Sequence, residues 1–357
     1  MYLTQALHRA VQQHFDRIAV RFGSRQRTFR ELADRVARLA GALQELGMQT
    51  GDRVAMLSLN SDRYLEYQMA VPGGGGVLNP CNIRWSASEI LYSLDDSGST
   101  ILLVDETFRP MVEQCCRDSS TLREVVYCGD SDVPSGMHGY EGLLAEADPV
   151  PDALRRGENL AGIFYTGGTT GFPKGAMLSH TNMCSSGLAL RAEGLASSGG
   201  TYLHCAPMFH LADMGLAMAH WIEGNTHSII PAFNPELVLD TLERDRVTHL
   251  LLVPTMIQMM IDHPAMKKPR DLSALQAIPC GASPISETLI ERAMAARPGL
   301  AKQGVGDRGA STGAGPGADP RTSQGASSCG RRSQRKHAVV HNERKEVRCQ
   351  LACVTTF

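Results

Sequence analysis

The residues best suited to chemistry lie between Tyr165 and His180, in the order YTGGTTGFPKGAMLSH. Thr166, Gly167, Gly168, Thr169, Thr170 and Gly171 run together, and Phe172, Pro173, Lys174 and Gly175 close the stretch. Glycines let the backbone approach a ligand closely, and successive N–H groups form a nest for an anion. The threonine hydroxyls add donors, and Lys174 adds a mobile positive charge for phosphate oxygens. Together they describe a polyphosphate cradle. A generic Gly/Thr-rich surface loop shares the composition. It does not share the preceding apolar run from Leu160 or the Pro-Lys-Gly finish. The P-loop pattern G-x-x-x-x-G-K-[ST] also fails. Pro173 stands before Lys174 and Gly175 after it, so no hydroxyl follows the lysine to meet magnesium.

The stretch resembles the phosphate-binding signature of the AMP-forming acyl-adenylating superfamily, which includes acyl-CoA synthetases, adenylation domains of peptide synthetases and luciferases. The resemblance implies that Thr166, Gly167, Gly168, Thr169, Thr170 and Lys174 hold the phosphates of ATP. Further segments match in order. Pro207-Met208-Phe209-His210 resembles the family's aromatic–His pair, which implies that His210 lines the acyl pocket. A lone histidine is otherwise most often a satisfied structural residue. Cys280-Gly281-Ala282-Ser283-Pro284 resembles the Gly-Ala turn that packs on adenine, which implies that Gly281 and Ala282 face the base. Val71 to Trp85, VPGGGGVLNPCNIRW, resembles a packing segment in which Gly73 stands where many members carry a bulkier residue, so a small void is expected there.

Elements must hold these segments in place. Apolar spacing predicts a helix over Leu3 to Phe15 and two strands turning at Gly23-Ser24. Thr28 with Glu31, and Ser86 with Glu89, read as capping boxes opening helices. Asn60-Ser61-Asp62 reads as a helix cap after the buried strand from Asp52 to Leu59. Strands are also expected at Thr100 to Val104, Glu124 to Tyr127, Thr201 to Ala206, Val247 to Val253 and Leu275 to Ile278. His180 is expected at a helix N-terminus. Strands alternating with helices indicate an α/β fold with parallel pairing. The resemblance implies stacked mixed and parallel sheets flanked by helices, layered αβαβα, over residues 1–300.

Composition sets broader bounds. The chain has 357 residues, 43% hydrophobic and 20% charged, with a formal net charge of −2. These values describe an ordinary globular protein with no overall signature of a nucleic-acid partner. The cysteines form no C-x-x-C pair and no zinc-spaced cluster, so no metal ligands are assigned and reduced thiols in a cytoplasmic protein are expected. The N-terminus has no continuous apolar core of a signal peptide, and no run approaches a transmembrane segment.

The match ends near Leu300. The family's next motif, Gln-Gly-Tyr-Gly-x-Thr-Glu, has only an echo in Gln303-Gly304-Val305-Gly306, without the aromatic, the Thr and the Glu that place adenine, phosphate and magnesium. Residues 301–357 hold one Leu, one Phe, ten Lys or Arg and four Asp or Glu, a net +6 against −8 for the remainder. Such a segment buries too little apolar surface to order itself. It is expected to be a disordered basic tail, read as out-of-frame translation after a C-terminal truncation, with the sheet edge next to it left open. A basic tail that binds nucleic acid is the alternative.

The resemblance thus implies an ATP-dependent acid–CoA ligase using ATP, Mg2+ and coenzyme A. A medium- or long-chain fatty acid is the expected substrate, and no residue is assigned as catalytic. The alternative is a catalytically inactive remnant that retains at most nucleotide binding.

Overall fold

A computed structural model describes residues 1–166, 172–281 and 285–296, together with the backbone of 339–341 and 349–350. The elements begin with α1 (Gln5–His14), β1 (Ile18–Phe22), β2 (Arg25–Thr28), α2 (Phe29–Glu45), β3 (Arg53–Leu57), α3 (Asp62–Gly73), β4 (Val77–Pro80), α4 (Ala87–Ser97) and β5 (Ser99–Val104). Then come α5 (Arg109–Asp118), β6 (Glu124–Tyr127), β7 (His138–Gly139), α6 (Tyr140–Glu146), β8 (Leu160–Thr166), β9 (Lys174–Ser179), α7 (His180–Ala192), β10 (Thr201–His204), α8 (Leu211–Ile222) and β11 (Thr226–Ile229). The last are α9 (Pro235–Arg244), β12 (His249–Leu250), α10 (Pro254–Asp262), β13 (Ala277–Pro279), α11 (Glu287–Ala295), β14 (Val339–His341) and β15 (Cys349–Gln350).

Two sheets result. The first has seven strands in the order β7-β6-β5-β3-β4-β8-β9, parallel except for β9. The second has eight in the order β15-β14-β13-β12-β10-β11-β1-β2, parallel from β13 to β1 and antiparallel at both ends. The strands explain the layering. Val54 and Met56 of β3 enter one core, whereas Ala55 and Leu57 enter another. Ile101 and Leu103 of β5 divide from Leu102 and Val104 in the same way. Strands apolar on both faces must be covered on both faces.

The inner core joins the two sheets through α2, α3, α7 and α8, and all of α3 is buried. Outer cores lie under α4 and α5 on the first sheet and under α9, α10 and α11 on the second. The arrangement is the expected αβαβα stack.

Local chemistry sets the helix starts. Thr28 accepts from the Glu31 N–H while Glu31 accepts from Thr28, and Ser86 and Glu89 repeat the device. The cap of α3 is Ser61, whose Oγ accepts from the Tyr64 N–H at 3.2 Å. Asn60 is turned to another use, described below.

Strands β12 and β13 are shorter than their apolar runs. Pro254 opens α10 at once, and only an isolated bridge between Leu252 and Cys280 extends the pairing. The edge beyond β13, expected to stay open, carries β14 in antiparallel register, with Ala277 opposite His341. The reason is local: His337-Ala338-Val339-Val340-His341 is a β-forming island within a Gly/Ser/Arg-rich segment. The rest of 301–357, expected to be disordered, lies outside the described residues. Among the described residues no helix is long and apolar enough to cross a membrane.

At Gly73 an added Cβ would meet Thr4 Cγ2 at 3.7 Å and Asp152 Oδ2 at 3.9 Å, so a methyl group fits. The neighbouring Gly76 is different. A Cβ there would lie 2.7 Å from Met48 Sδ and 3.0 Å from Val71 Cγ1.

Candidate adenylate-forming site

Each sequence-predicted segment follows the carboxyl end of a strand. Thr166 ends β8, His210 follows β10, and Gly281 follows β13. Open α/β sheets bind ligands at this end.

The stretch expected to bind phosphate is flanked by β8 and β9, which pair antiparallel. Thr166 and Lys174 are cross-strand partners, and Thr166 Oγ1 donates to the Lys174 carbonyl at 3.5 Å. Lys174 is exposed and has no ion-pair partner among the described residues, so its ammonium is available to an anion. Gly167, Gly168, Thr169, Thr170 and Ala282 lie outside the described residues.

Gly175 has a steric reason the sequence did not disclose. It sits opposite Tyr165, and a Cβ there would lie 2.6 Å from Ile163 Cγ2 and 3.1 Å from the Tyr165 ring. Tyr165 in turn donates to Asp96 Oδ2 of α4 at 2.6 Å and packs edge-on to Trp85. Towards the other end of the stretch, Phe172 stacks on Tyr92 of α4, with ring centroids 4.7 Å apart. Both flanks are therefore fastened to one helix.

His210 is the N-cap of α8. It is open to solvent on one side, and its ring packs on Phe209 with centroids 3.9 Å apart. Desolvation by its neighbours, and then the charge of Arg84, lower its pKa, and Asp213 opposes them. The ring is therefore held towards the neutral form.

Behind it lies a buried polar relay that sequence reasoning missed. Asp213, in the first turn of α8, accepts from Tyr202 Oη at 2.9 Å, and its other oxygen is 2.8 Å from His204 Nδ1. His204 Nε2 meets His227 Nδ1 at 2.9 Å. All four side chains are fully buried. The signal was the number of histidines on β10, α8, β11 and β12, but their convergence requires the sheet order.

At Gly281 an added Cβ would meet no described residue within 4 Å. Among the described residues no group of three His, Cys, Asp or Glu could hold a metal ion. His180 begins α7 behind a Ser179–Asn182 capping box and is buried, its Nδ1 accepting from the Leu3 N–H at 3.3 Å. It is a structural residue.

The AMP-binding enzyme family matches residues 7–347. The chain belongs to that family. It is 36% identical over 275 residues to a feruloyl-CoA synthase from Amycolatopsis, covering 77% of this chain and 53% of that protein. It is also 36% identical over 242 residues to a long-chain-fatty-acid–CoA ligase from Thermus thermophilus, covering 67% of this chain and 44% of the other. The fold matches ATP-bound MatB from Rhodopseudomonas palustris with a TM-score of 0.72 and 25% identity, over 84% of this chain and 59% of that one. The chain thus spans about half the length of the curated relatives it matches.

Proposed function

We propose that this AMP-binding family member activates a carboxylic acid with ATP and passes the acyl group to coenzyme A. The carboxylate attacks the α-phosphorus, and the bond to pyrophosphate breaks as acyl-AMP forms. The thiol of coenzyme A then attacks the acyl carbonyl, loses its proton, and AMP leaves. ATP enters as its Mg2+ complex, with the metal carried on phosphate oxygens.

The observation that carries this reading is the Thr166–Lys174 pair closing a hairpin at the carboxyl end of β8, with an ammonium unclaimed by any described carboxylate. Thr166, Gly167, Gly168, Thr169, Thr170 and Lys174 hold the phosphates, Gly281 and Ala282 face adenine, and His210 lines the acyl site. Fixed donors and charges of this kind act by positioning the reactants and stabilising charge on the phosphates. A medium- or long-chain fatty acid is the first substrate expected, in keeping with the fatty-acid ligase among the relatives. The feruloyl-CoA synthase makes aromatic acids the competing class. We place the reaction in the cytoplasm, where the buried thiols of Cys81, Cys128 and Cys205 stay reduced.

ATP–pyrophosphate exchange on the whole chain, with a panel of fatty and aromatic acids, tests this reading. Exchange stimulated by one acid, and lost in Lys174→Ala, supports it and names the substrate. A folded chain that binds ATP but exchanges with none of the acids is the inactive remnant instead. That outcome would agree with the altered motif at 303–309.

A further inference from the structure

Strand β10 ends at His204, and the chain must then turn through Pro207 to reach His210. Pro207 has no N–H, so a regular ladder cannot continue across it. The groups on either side still need partners, because the segment is buried at Ala206, Met208 and Phe209.

One side chain from the other sheet supplies both. Asn60, which lies between β3 and α3, donates from Nδ2 to the Ala206 carbonyl at 2.9 Å. Its Oδ1 accepts from the Met208 N–H at 2.8 Å. The Asn60 N–H itself donates to the Pro231 carbonyl at 3.0 Å, beyond β11. Gln68 of α3 adds a longer contact from Nε2 to the Met208 carbonyl at 3.5 Å. Asn60 is buried, and these three bonds reach the backbone that follows β10 and β11.

The bonds continue directly to His210. Its N–H donates to the Pro207 carbonyl at 3.1 Å, and its carbonyl accepts from the Asp213 and Met214 N–H groups that begin α8. Whatever fixes Ala206 and Met208 therefore fixes where the His210 ring stands.

We propose that Asn60 is a positioning residue for acyl-acid binding: its amide imitates a strand partner across Pro207 and sets the placement of Phe209 and His210 relative to the first sheet. The proposal rests on the reading of His210 as lining the acyl site. Asn60 precedes α3 beside the first sheet and His210 follows a strand of the second, so the Asn60 side-chain amide sets where the acid subsite stands without touching the phosphate-binding hairpin. An alanine here strands a buried donor and a buried acceptor, whereas an aspartate keeps the acceptor for Met208 and loses the donor for Ala206.

The test compares the wild-type chain with Asn60→Asp and Asn60→Ala in pyrophosphate exchange, with dodecanoate and ferulate as probe acids. The expected result is a rise of about tenfold in the KM of the stimulating acid, with the KM of ATP changed less than about twofold. Equal rises in both constants, or no rise in either, would overturn the proposal. If the wild-type chain shows no exchange, the functional reading fails by itself, and amide hydrogen exchange then decides the structural part. Faster exchange at Met208 and a shifted His210 imidazole resonance in Asn60→Asp, with protection elsewhere in β3 and β10 unchanged, would uphold the placement role. Unchanged protection at Met208 would refute it.

Discussion

Tyr165 Oη donates to Asp96 Oδ2 at 2.6 Å, fastening the last turn-ward tyrosine of β8 to α4. The same ring lies across Gly175, which makes the glycine after Lys174 a packing requirement as well as a motif letter. Tyr165→Phe is expected to lower stability by about 1 kcal/mol, the worth of one hydrogen bond. Gly175→Ala is expected to cost more, about 2 kcal/mol, because the Cβ has no room. Urea unfolding of the two variants checks the order. A Gly175→Ala chain as stable as wild type would show that the ring does not hold that position.

The Asp213–His204–His227 relay predicts strong coupling. His204→Ala leaves the fully buried Asp213 carboxyl with Tyr202 as its side-chain partner among the described residues, and a loss of about 3 kcal/mol is expected. Asp213→Ala is expected to cost a similar amount. The double variant should fall short of the sum by more than about 1 kcal/mol, since the two residues share one bond. Additive losses in a double-mutant cycle would mean that the pair does not act as a unit.

Gly73 and Gly76, the two ends of the glycine run before β4, separate in opposite directions. Gly73→Ala places a methyl in ordinary contact with Thr4 and removes a glycine from the last turn of α3. A gain of about 0.5 kcal/mol is expected. Gly76→Ala drives a Cβ against Met48 and Val71, and a loss of about 2 kcal/mol is expected. Thermal unfolding of both variants side by side measures the contrast.

Local features were legible and convergent ones were not. The capping boxes at Thr28 and Ser86 and the strand at Thr100 to Val104 are written in neighbouring residues, and each forms as read. The resemblance supplied the stacking of two sheets, and the split of Val54 from Ala55 between cores agrees with it. Asn60 was read as part of a cap because Asn, Ser and Asp all cap helices. Ser61 does that work, and Asn60 bonds to residues 146 and 148 positions away. No periodicity marks such a partner. The short β12 fails for a different reason: an apolar run says that residues are buried, not how far their backbones stay paired.

Acid should weaken the fold through its buried histidines. Burial, then Arg155, lowers the His180 pKa to about 4, against about 6.5 in the unfolded chain. A group depressed in this way favours the unfolded state once that state is protonated. Its contribution to stability is whole above pH 6.5 and is lost as the pH falls towards 4. His220 and His227, lowered first by desolvation, act in the same sense. Glu66 and Asp105, whose carboxyl pKa values burial raises, act in the opposite sense. The informative quantity is therefore the change in slope on substitution. His180→Gln removes one of these titrations, so its urea midpoint should fall less steeply between pH 6.5 and 4 than that of the wild-type chain. Parallel curves would mean that His180 takes up its proton as readily in the folded chain as in the unfolded one.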